Sequence, residues 1–178
     1  GSVVRSKYEH ESGSDRIAEA AADMVADIIV NVQGDTPFVK KEPLEKLLQV
    51  FQGEEGKKVQ VASLIQILTD EKLISDPNYV KVAVDKNMNS LFFSRSVIPY
   101  AREKNIPVTY YEHIGVYAFR KQALLNFTSW PTGTLEAIEK IECLRYLENG
   151  IPLKMVLTDY MGVEIDTPED LKKATSLL

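Results

Sequence analysis

Strand-like and helix-like patterns alternate along the chain. Residues 28–32, "IIVNV", are nearly all β-branched, which is typical of a strand buried on both faces of a sheet. Further strands are predicted in "KVQVASLIQIL", "HIGVYAFR" and "LKMVLT". Apolar residues recur at helical spacing between them, which predicts helices in "SGSDRIAEAAADMVA", "EPLEKLLQVFQG", "TLEAIEKIECLRYLENG" and "DTPEDLKKATSLL". This alternation is typical of a three-layer α/β domain.

The boundaries of these helices follow from capping residues. Ser14 is the expected N-cap of the first helix, and Gly53 is expected to end the second. A short helix is predicted around Lys121–Phe127, directly after "HIGVYAFR". The apolar stripe of "TLEAIEKIECLRYLENG" predicts one continuous helix that ends at Gly150.

The middle of the chain departs from this alternation. "YVKVAVDKNMNSLFFSR" contains two strand-like runs joined by the turn-forming residues Asp85 to Asn89, which predicts a hairpin over Tyr79–Arg95. We therefore expect one domain over residues 1–178, with a mixed, mostly parallel sheet and an inserted β-hairpin.

Composition and charge narrow the possible functions. The chain has 178 residues, of which 44% are hydrophobic, enough for one domain with a substantial core. A net charge of -5 argues against a nucleic-acid-binding surface. No apolar run reaches the length of a membrane span. The single cysteine, Cys143, allows no intrachain disulfide. We expect a cytoplasmic protein that neither binds nucleic acid nor inserts into membranes.

Two acids lie where predicted strands end. Asp35 follows the strand "IIVNV", and Asp166 follows "GVEI" and precedes a helix with Thr167 as N-cap. Open α/β sheets bind ligands at the carboxyl ends of their strands, and Mg²⁺ prefers a few carboxylates together with substrate phosphates. Taken alone, each acid is better explained by an ordinary structural role, a turn before Pro37 for Asp35 and a helix N-terminus for Asp166. The pair favours a magnesium site.

Seven segments resemble, in this order, the 3-deoxy-manno-octulosonate (Kdo) cytidylyltransferases, the CMP-Kdo synthetases of bacterial lipopolysaccharide synthesis. The segments are "HESGSDRIAEAA", "VNVQGDTPFV", "NYVKVAVD", "LFFSRSVIPYAR", "YYEHIGVYAFRKQALLNF", "LEAIEKIECLRYLENG" and "GVEIDTPEDL". The resemblance implies a nucleotidyltransferase-type fold and the Mg²⁺-dependent transfer of CMP from CTP to Kdo, with release of pyrophosphate. It also implies that Asp35 and Asp166 are the catalytic metal ligands.

The resemblance assigns roles to further residues. The implied contacts to the sugar are Gln33, Arg95, Arg102, His113, Tyr117 and Glu142, and the implied contacts to the nucleotide are Ser12, Gly13 and Arg16. His113 and Tyr117, four residues apart on a strand, should point to the same face. Each of these residues also has an ordinary structural explanation, such as a solvated arginine or a packed histidine. The family further implies a homodimer, and we expect residues 79–112 as a possible dimerisation element.

The sequence departs from the family at three places. Thr36 stands in "QGDTP" where the family usually has "QGDEP", and Cys143 stands where a glutamine is common. We expect Cys143 to be a helix-packing residue. The family's opening segment of the type "PARxxSxRLPGKPL", which holds the phosphates of CTP, has no counterpart, so we expect the N-terminal phosphate-loop segment to be missing. Two alternatives therefore stay open: a transferase for another sugar, or a catalytically inactive fragment.

Overall fold

Six strands form one sheet in the computed structural model, which describes residues 1, 3–7, 9–10, 12–34, 39–159 and 175. The strands of the described part are β1 (Ile28–Asn31), β2 (Val61–Leu68), β3 (Lys81–Val84), β4 (Ser90–Ser94), β5 (Tyr110–Arg120) and β6 (Lys154–Leu157). The helices are α1 (Gly13–Ala21), α2 (Lys41–Gln49), α3 (Gly53–Gly56), α4 (Glu71–Ser75), α5 (Lys121–Ser129), α6 (Thr134–Glu139) and α7 (Leu144–Glu148).

The long strand β5 organises the sheet. The order is β4-β3-β5-β2-β6, and β1 also pairs with β5. β5 runs antiparallel to β1, β2 and β3, whereas β2 and β6 are parallel. The mixed sheet is confirmed. Among the described strands, however, most pairs are antiparallel and not parallel as expected, because one central strand runs against three neighbours.

The predicted hairpin is present. β3 and β4 are antiparallel partners, and the Asp85 carboxylate closes their turn by accepting hydrogen bonds from the backbone N–H groups of Asn87 and Asn89, both at 2.8 Å. Met88 in this turn has a φ of 59°, a left-handed conformation that tight turns often need. The loop from Arg95 to Thr109 then leads back to the sheet as β5.

Helices cover both faces of the sheet and enclose two cores. On one face, Ala18 of α1, Leu124 and Phe127 of α5, and Tyr146 of α7 pack against the sheet. On the other face, Leu47 of α2 packs against another set of buried residues, Phe51, Ala62, Leu64, Ile114, Val116, Ala118 and Val156. This arrangement confirms the three-layer α/β domain. None of the described helices is long and apolar enough to span a membrane.

Several helix boundaries differ from the predictions. The expected helix over "TLEAIEKIECLRYLENG" is divided into α6 and α7, because Lys140 adopts the left-handed conformation with φ of 55°. α2 ends at Gln49, and Gly53, with φ of 69°, begins α3. Ser12, not Ser14, caps α1 by accepting from the backbone N–H of Asp15 at 3.2 Å. The helix predicted in "DTPEDLKKATSLL" lies outside the described residues except for Thr175.

Candidate active site

A row of buried polar side chains crosses three neighbouring strands. Asn31 of β1, Tyr117 of β5 and Ser63 of β2 are directly opposite one another in the sheet. Directly opposite residues point to the same face, so the three side chains lie side by side. Their exposed fractions are 2%, 5% and 0%. We call these three residues the polar row. Buried polar groups need hydrogen-bond partners, and the apolar side chains of the surrounding core do not. The polar row is therefore a distinct feature of this face of the sheet.

His113 extends the polar row by one residue. Its Nε2 lies 2.9 Å from Ser63 Oγ, and its ring lies 5.3 Å from the ring of Tyr117 and 5.0 Å from that of Phe93. The predicted common face of His113 and Tyr117 is therefore observed. Burial lowers the pKa of His113 from 6.5 to about 4, so the imidazole is neutral near pH 7.

The N-terminus of α1 lies against the residues implied for the sugar. The Ser14 hydroxyl donates to Glu142 Oε1 at 3.0 Å, and a Cβ on Gly13 would lie 3.0 Å from Gln33 Nε2. A glycine at position 13 therefore lets Gln33 approach the helix closely. Arg16 is exposed in the first turn of α1. The structure thus brings Gln33, Glu142 and α1 together.

Glu142 reaches this position because the helix breaks before it. A cavity of about 290 Å³ is lined by residues of α1 and of the α6–α7 region, which are Ser12, Thr132, Glu136, Ala137, Lys140, Glu142 and Arg145. Burial raises the pKa of Glu142, and the hydrogen bonds from Ser14 and Ser12 oppose that rise. Burial therefore favours the neutral carboxyl group, and the two serine donors favour the charged one.

Tyr117 and Cys143 lie in contact with each other, close to Glu142. Burial raises the pKa of the Tyr117 hydroxyl, and the neighbouring Cys143 thiol and Glu142 carboxyl raise it further. Burial also raises the pKa of the Cys143 thiol, which is 1% exposed. A thiol with a raised pKa is a poor nucleophile. Cys143 is therefore a packing residue, as its sequence context indicated.

Comparison with known proteins gives one consistent result. The model of the cytidylyltransferase family matches residues 1–159. A 3-deoxy-manno-octulosonate cytidylyltransferase of Flavobacterium johnsoniae is 56% identical over the whole chain, which spans 73% of that protein. A 3-deoxy-manno-octulosonate cytidylyltransferase of Christiangramia forsetii is also 56% identical over the whole chain, which spans 72% of that protein. The chain belongs to the 3-deoxy-manno-octulosonate cytidylyltransferase family.

A solved structure supports this at the level of the fold. The structure of a CMP:2-keto-3-deoxy-manno-octonic acid synthetase complexed with CTP matches this cytidylyltransferase with a TM-score of 0.88 and 35% sequence identity. The match covers 95% of the chain and 68% of the solved one. The three-layer nucleotidyltransferase fold expected from the sequence is confirmed.

Arg95 and Arg102 occupy different surroundings in this cytidylyltransferase. The Arg95 guanidinium donates to the carbonyl oxygens of Glu139 at 2.7 Å, Pro77 at 2.9 Å and Lys140 at 3.3 Å. It therefore holds the C-terminal end of α6 in place. Arg102 is exposed in the loop before β5. The structure does not bring either arginine to the polar row by a hydrogen bond, and their contact to a sugar carboxylate stays a prediction.

The predicted metal ligands Asp35 and Asp166, and Thr36 beside the first of them, lie outside the described residues. Within the described part of the cytidylyltransferase, no group of three or more His, Cys, Asp and Glu side chains could hold a metal ion. Gly34, which precedes Asp35, is described, and it follows the carboxyl end of β1. The magnesium site therefore stays a prediction.

Sequence reasoning missed Asn31 and Ser63. Asn31 interrupts the β-branched run "IIVNV", and its Oδ1 and Nδ2 are buried without a hydrogen-bond partner among the described residues. Ser63 interrupts the apolar run "VASLIQIL" of β2. A polar residue inside an otherwise apolar strand was the available signal: burying an unpaired polar group costs free energy, so such a residue points to a partner or a role.

Proposed function

We propose that the chain transfers CMP from CTP to Kdo, with release of pyrophosphate, as a step of lipopolysaccharide synthesis in the cytoplasm. The observation that carries this proposal is that Tyr117 of the polar row lies close to Glu142, and that Glu142 and Gln33 both lie against the N-terminus of α1. The names of the relatives and the CTP bound in the matching solved structure support it. The single buried thiol fits a reducing compartment.

The polar row and its neighbours form the sugar site in this proposal. His113, Tyr117, Gln33 and Glu142 offer both donors and acceptors, as a sugar with several hydroxyl groups requires. Tyr117 is buried and the other three are half-buried, which limits competing water and strengthens hydrogen bonds to the sugar. Arg95 and Arg102 would meet the sugar carboxylate, for which guanidinium groups are suited.

The start of α1 forms part of the nucleotide site. Ser12, Gly13 and Arg16 lie in or beside the first turn of a nine-residue helix. The N-terminus of a helix favours negative charge because its first N–H groups lack partners within the helix. The exposed side chain of Arg16 adds a positive charge at the same end. Together they would bind the negatively charged nucleotide.

Mg²⁺ is the proposed cofactor, and Asp35 and Asp166 are its proposed ligands. Carboxylate oxygens are the donors that this ion prefers, and a triphosphate supplies the remaining oxygens. When bound, Mg²⁺ neutralises charge on the transferring phosphate. The chain's own residues position the sugar hydroxyl for in-line attack, because phosphoryl transfer depends mostly on positioning.

A homodimer is the proposed assembly, with residues 79–112 at its interface. Three large apolar side chains on this segment are well exposed: Leu91 on β4 at 62%, and Tyr100 and Ile106 in the following loop at 86% and 62%. β4 also lies at an edge of the described sheet. Exposed apolar groups beside a sheet edge favour association with a second copy.

The proposed chemistry is tested by Asp35→Asn and Asp166→Asn. Each variant keeps the shape of the side chain but removes the charge that binds the metal, so pyrophosphate release should fall by at least roughly 100-fold. The assay uses CTP, Kdo and Mg²⁺, and Glu45→Gln, on an exposed face of α2, is the matched control. Near-normal turnover in either variant would remove that acid from the site. Turnover with another acid sugar in place of Kdo would favour the alternative substrate.

A further inference from the structure

Ser63 makes three close polar contacts with a single hydroxyl hydrogen. Its Oγ lies 2.9 Å from the carbonyl oxygen of Val116, 3.1 Å from that of Ile114 and 2.9 Å from His113 Nε2. The two carbonyl oxygens can only accept hydrogen bonds. If the hydrogen pointed at His113, the lone pairs of Oγ would face both carbonyl oxygens. The hydroxyl therefore donates to the carbonyl groups and accepts from Nε2.

The irregularity of β5 creates this arrangement. The register between β2 and β5 shifts between Ser63 and Leu64, so that Ser63 is opposite Tyr117 while Leu64 is opposite Ile114. The extra residues Gly115 and Val116 form a bulge, which turns local carbonyl groups away from regular pairing. Ser63, which is fully buried, is the side chain that meets those carbonyls. The bulge thus determines the direction of the Ser63 hydroxyl.

The direction of the hydroxyl determines the state of the imidazole. A neutral histidine carries one N–H, and a donor at Nε2 leaves Nδ1 as an acceptor. Ser63 is the only hydrogen-bond partner of the His113 ring among the residues that the structure describes. Phe93 and Tyr117 contact the ring from two directions and hold its plane.

We propose that Ser63 is a positioning residue that fixes His113 as the Nε2–H tautomer, so that Nδ1 accepts a hydrogen bond from one hydroxyl of the bound sugar. The first half of this proposal concerns the free protein, and the second half rests on the proposed function. Without Ser63, the imidazole could present N–H to the site, and the sugar hydroxyl would then have to turn and accept, which takes its hydrogen away from Nδ1 and changes its other hydrogen bonds. The effect of Ser63 is therefore on sugar binding and not on the transfer step.

Nitrogen NMR tests the tautomer directly. The chain has two histidines, His10 and His113, so a long-range ¹H–¹⁵N spectrum is simple to assign, with His10→Gln identifying the His10 signals. We expect His113 to show the Nε2–H pattern in the wild-type protein near neutral pH. Ser63→Ala should mix in the Nδ1–H form, and Ser63→Thr, which keeps the hydroxyl, should restore the wild-type pattern. An Nδ1–H pattern in the wild-type protein would overturn the proposal without any variant.

Kinetics test the consequence for the sugar. Ser63→Ala should raise the KM for Kdo roughly 5- to 10-fold, the value of about one hydrogen bond, with little change in kcat or in the KM for CTP. Ser63→Thr should return the KM for Kdo toward the wild-type value. Ser63→Cys, which keeps the branching of the side chain but donates and accepts weakly, serves if Ser63→Ala fails to fold. Equal changes in both KM values, or no change, would overturn the sugar half. If the Nε2–H tautomer is confirmed but the protein does not bind Kdo, the result contradicts the proposed function and leaves the role of Ser63 in the free protein intact.

Discussion

At the scale of single residues, His113 links protonation to folding. Its pKa is about 4 in the folded protein because it is buried, against an ordinary value of 6.5. Between these values the unfolded chain binds a proton that the folded protein does not, so acid favours unfolding. The stability that comes from keeping His113 neutral is fully present above pH 6.5 and is lost as the pH falls toward 4. It amounts to about 2 kcal/mol between about pH 7 and about pH 4.5.

We expect His113→Gln to make the free energy of unfolding less dependent on pH. The free energy of unfolding, measured with urea at several pH values, should fall less steeply below pH 6.5 in this variant than in the wild type. His10→Gln is the control and should retain the contribution of His113. The comparison uses slopes, because replacing a buried ring also changes the absolute stability. Identical slopes in wild type and His113→Gln would show that the imidazole titrates normally in the folded protein.

Tyr117 provides a second prediction at this scale. Tyr117→Phe keeps the stacking on Phe119, whose ring lies 5.5 Å away, but removes the hydroxyl. The KM for Kdo should rise roughly 5- to 10-fold while the KM for CTP stays unchanged, because one hydrogen bond to the sugar is lost. Tyr146→Phe is the matched control: it removes a buried hydroxyl that donates to the carbonyl oxygen of Ala123 and not to a residue of the polar row. A uniform rise in both KM values would indicate a packing role for Tyr117.

At the scale of elements, a buried ion pair holds α6 against α7. Arg145 Nε and a terminal guanidinium nitrogen donate to the two oxygens of Glu136 at 2.7 and 2.6 Å, and both side chains are nearly inaccessible. The guanidinium also lies 4.0 Å from the centre of the Phe127 ring, and Glu136 raises the pKa of Arg145. Such a pair depends on both partners, because a single buried charge is unfavourable.

Glu136→Gln should lower the free energy of unfolding by about 3 kcal/mol, because it removes the two-point counter-charge and leaves Asp15 Oδ1, 3.9 Å from an Arg145 guanidinium nitrogen, as the remaining carboxylate. The double variant Glu136→Leu with Arg145→Met should recover much of this loss, since it buries no charge. Urea unfolding measures both. The surface pair Lys41–Glu45, with an N–O distance of 3.0 Å, is the control, and Glu45→Gln should cost less than about 1 kcal/mol. A loss as small as that control's would show that solvent reaches the Glu136–Arg145 pair.

The sequence predicted most elements but not the break between α6 and α7. β2, β5, the hairpin and α5 follow local patterns, and they were found close to the predicted places. The break has no local signal, because the apolar stripe of Leu135, Ile138, Ile141 and Leu144 continues through it. Contacts from another element produce it: Arg95 donates to the carbonyl oxygens of Glu139 and Lys140, which would otherwise continue the helix. Ile138 is accordingly 74% exposed while Leu144 is buried.

The same contrast applies to the candidate site. His113 and Tyr117 could be placed on one face from strand spacing, and the structure has their rings in contact. Arg95 could not be placed, since its interactions are with carbonyl groups far away in the sequence. Ser63 was missed because its role depends on a bulge in the partner strand, and a bulge is a property of the pair. The metal ligands predicted at Asp35 and Asp166 still await a test.

At the scale of the whole molecule, the exposed apolar groups of residues 79–112 predict self-association. Light scattering coupled to gel filtration should give twice the mass of one chain. Leu91→Asp and Tyr100→Asp should each shift the protein toward the monomer, because a charge in an apolar interface is unfavourable. Val25→Asp, which changes a fully exposed residue elsewhere, is the control and should leave the mass unchanged. A monomer in the wild type would contradict the proposed assembly.

The pairing of β5 also affects the order in which the protein can fold during synthesis. β1, β2 and β3 precede β5 in the chain, and each of them pairs with it. Until the ribosome has released Arg120, these strands lack their common partner, and β2 has neither of its two described partners, β5 and β6, for its apolar residues to pack beside. The β3–β4 hairpin can form before β5 is made, whereas β1 and β2 stay exposed until it is, and this nascent stage is where the protein would most need a chaperone.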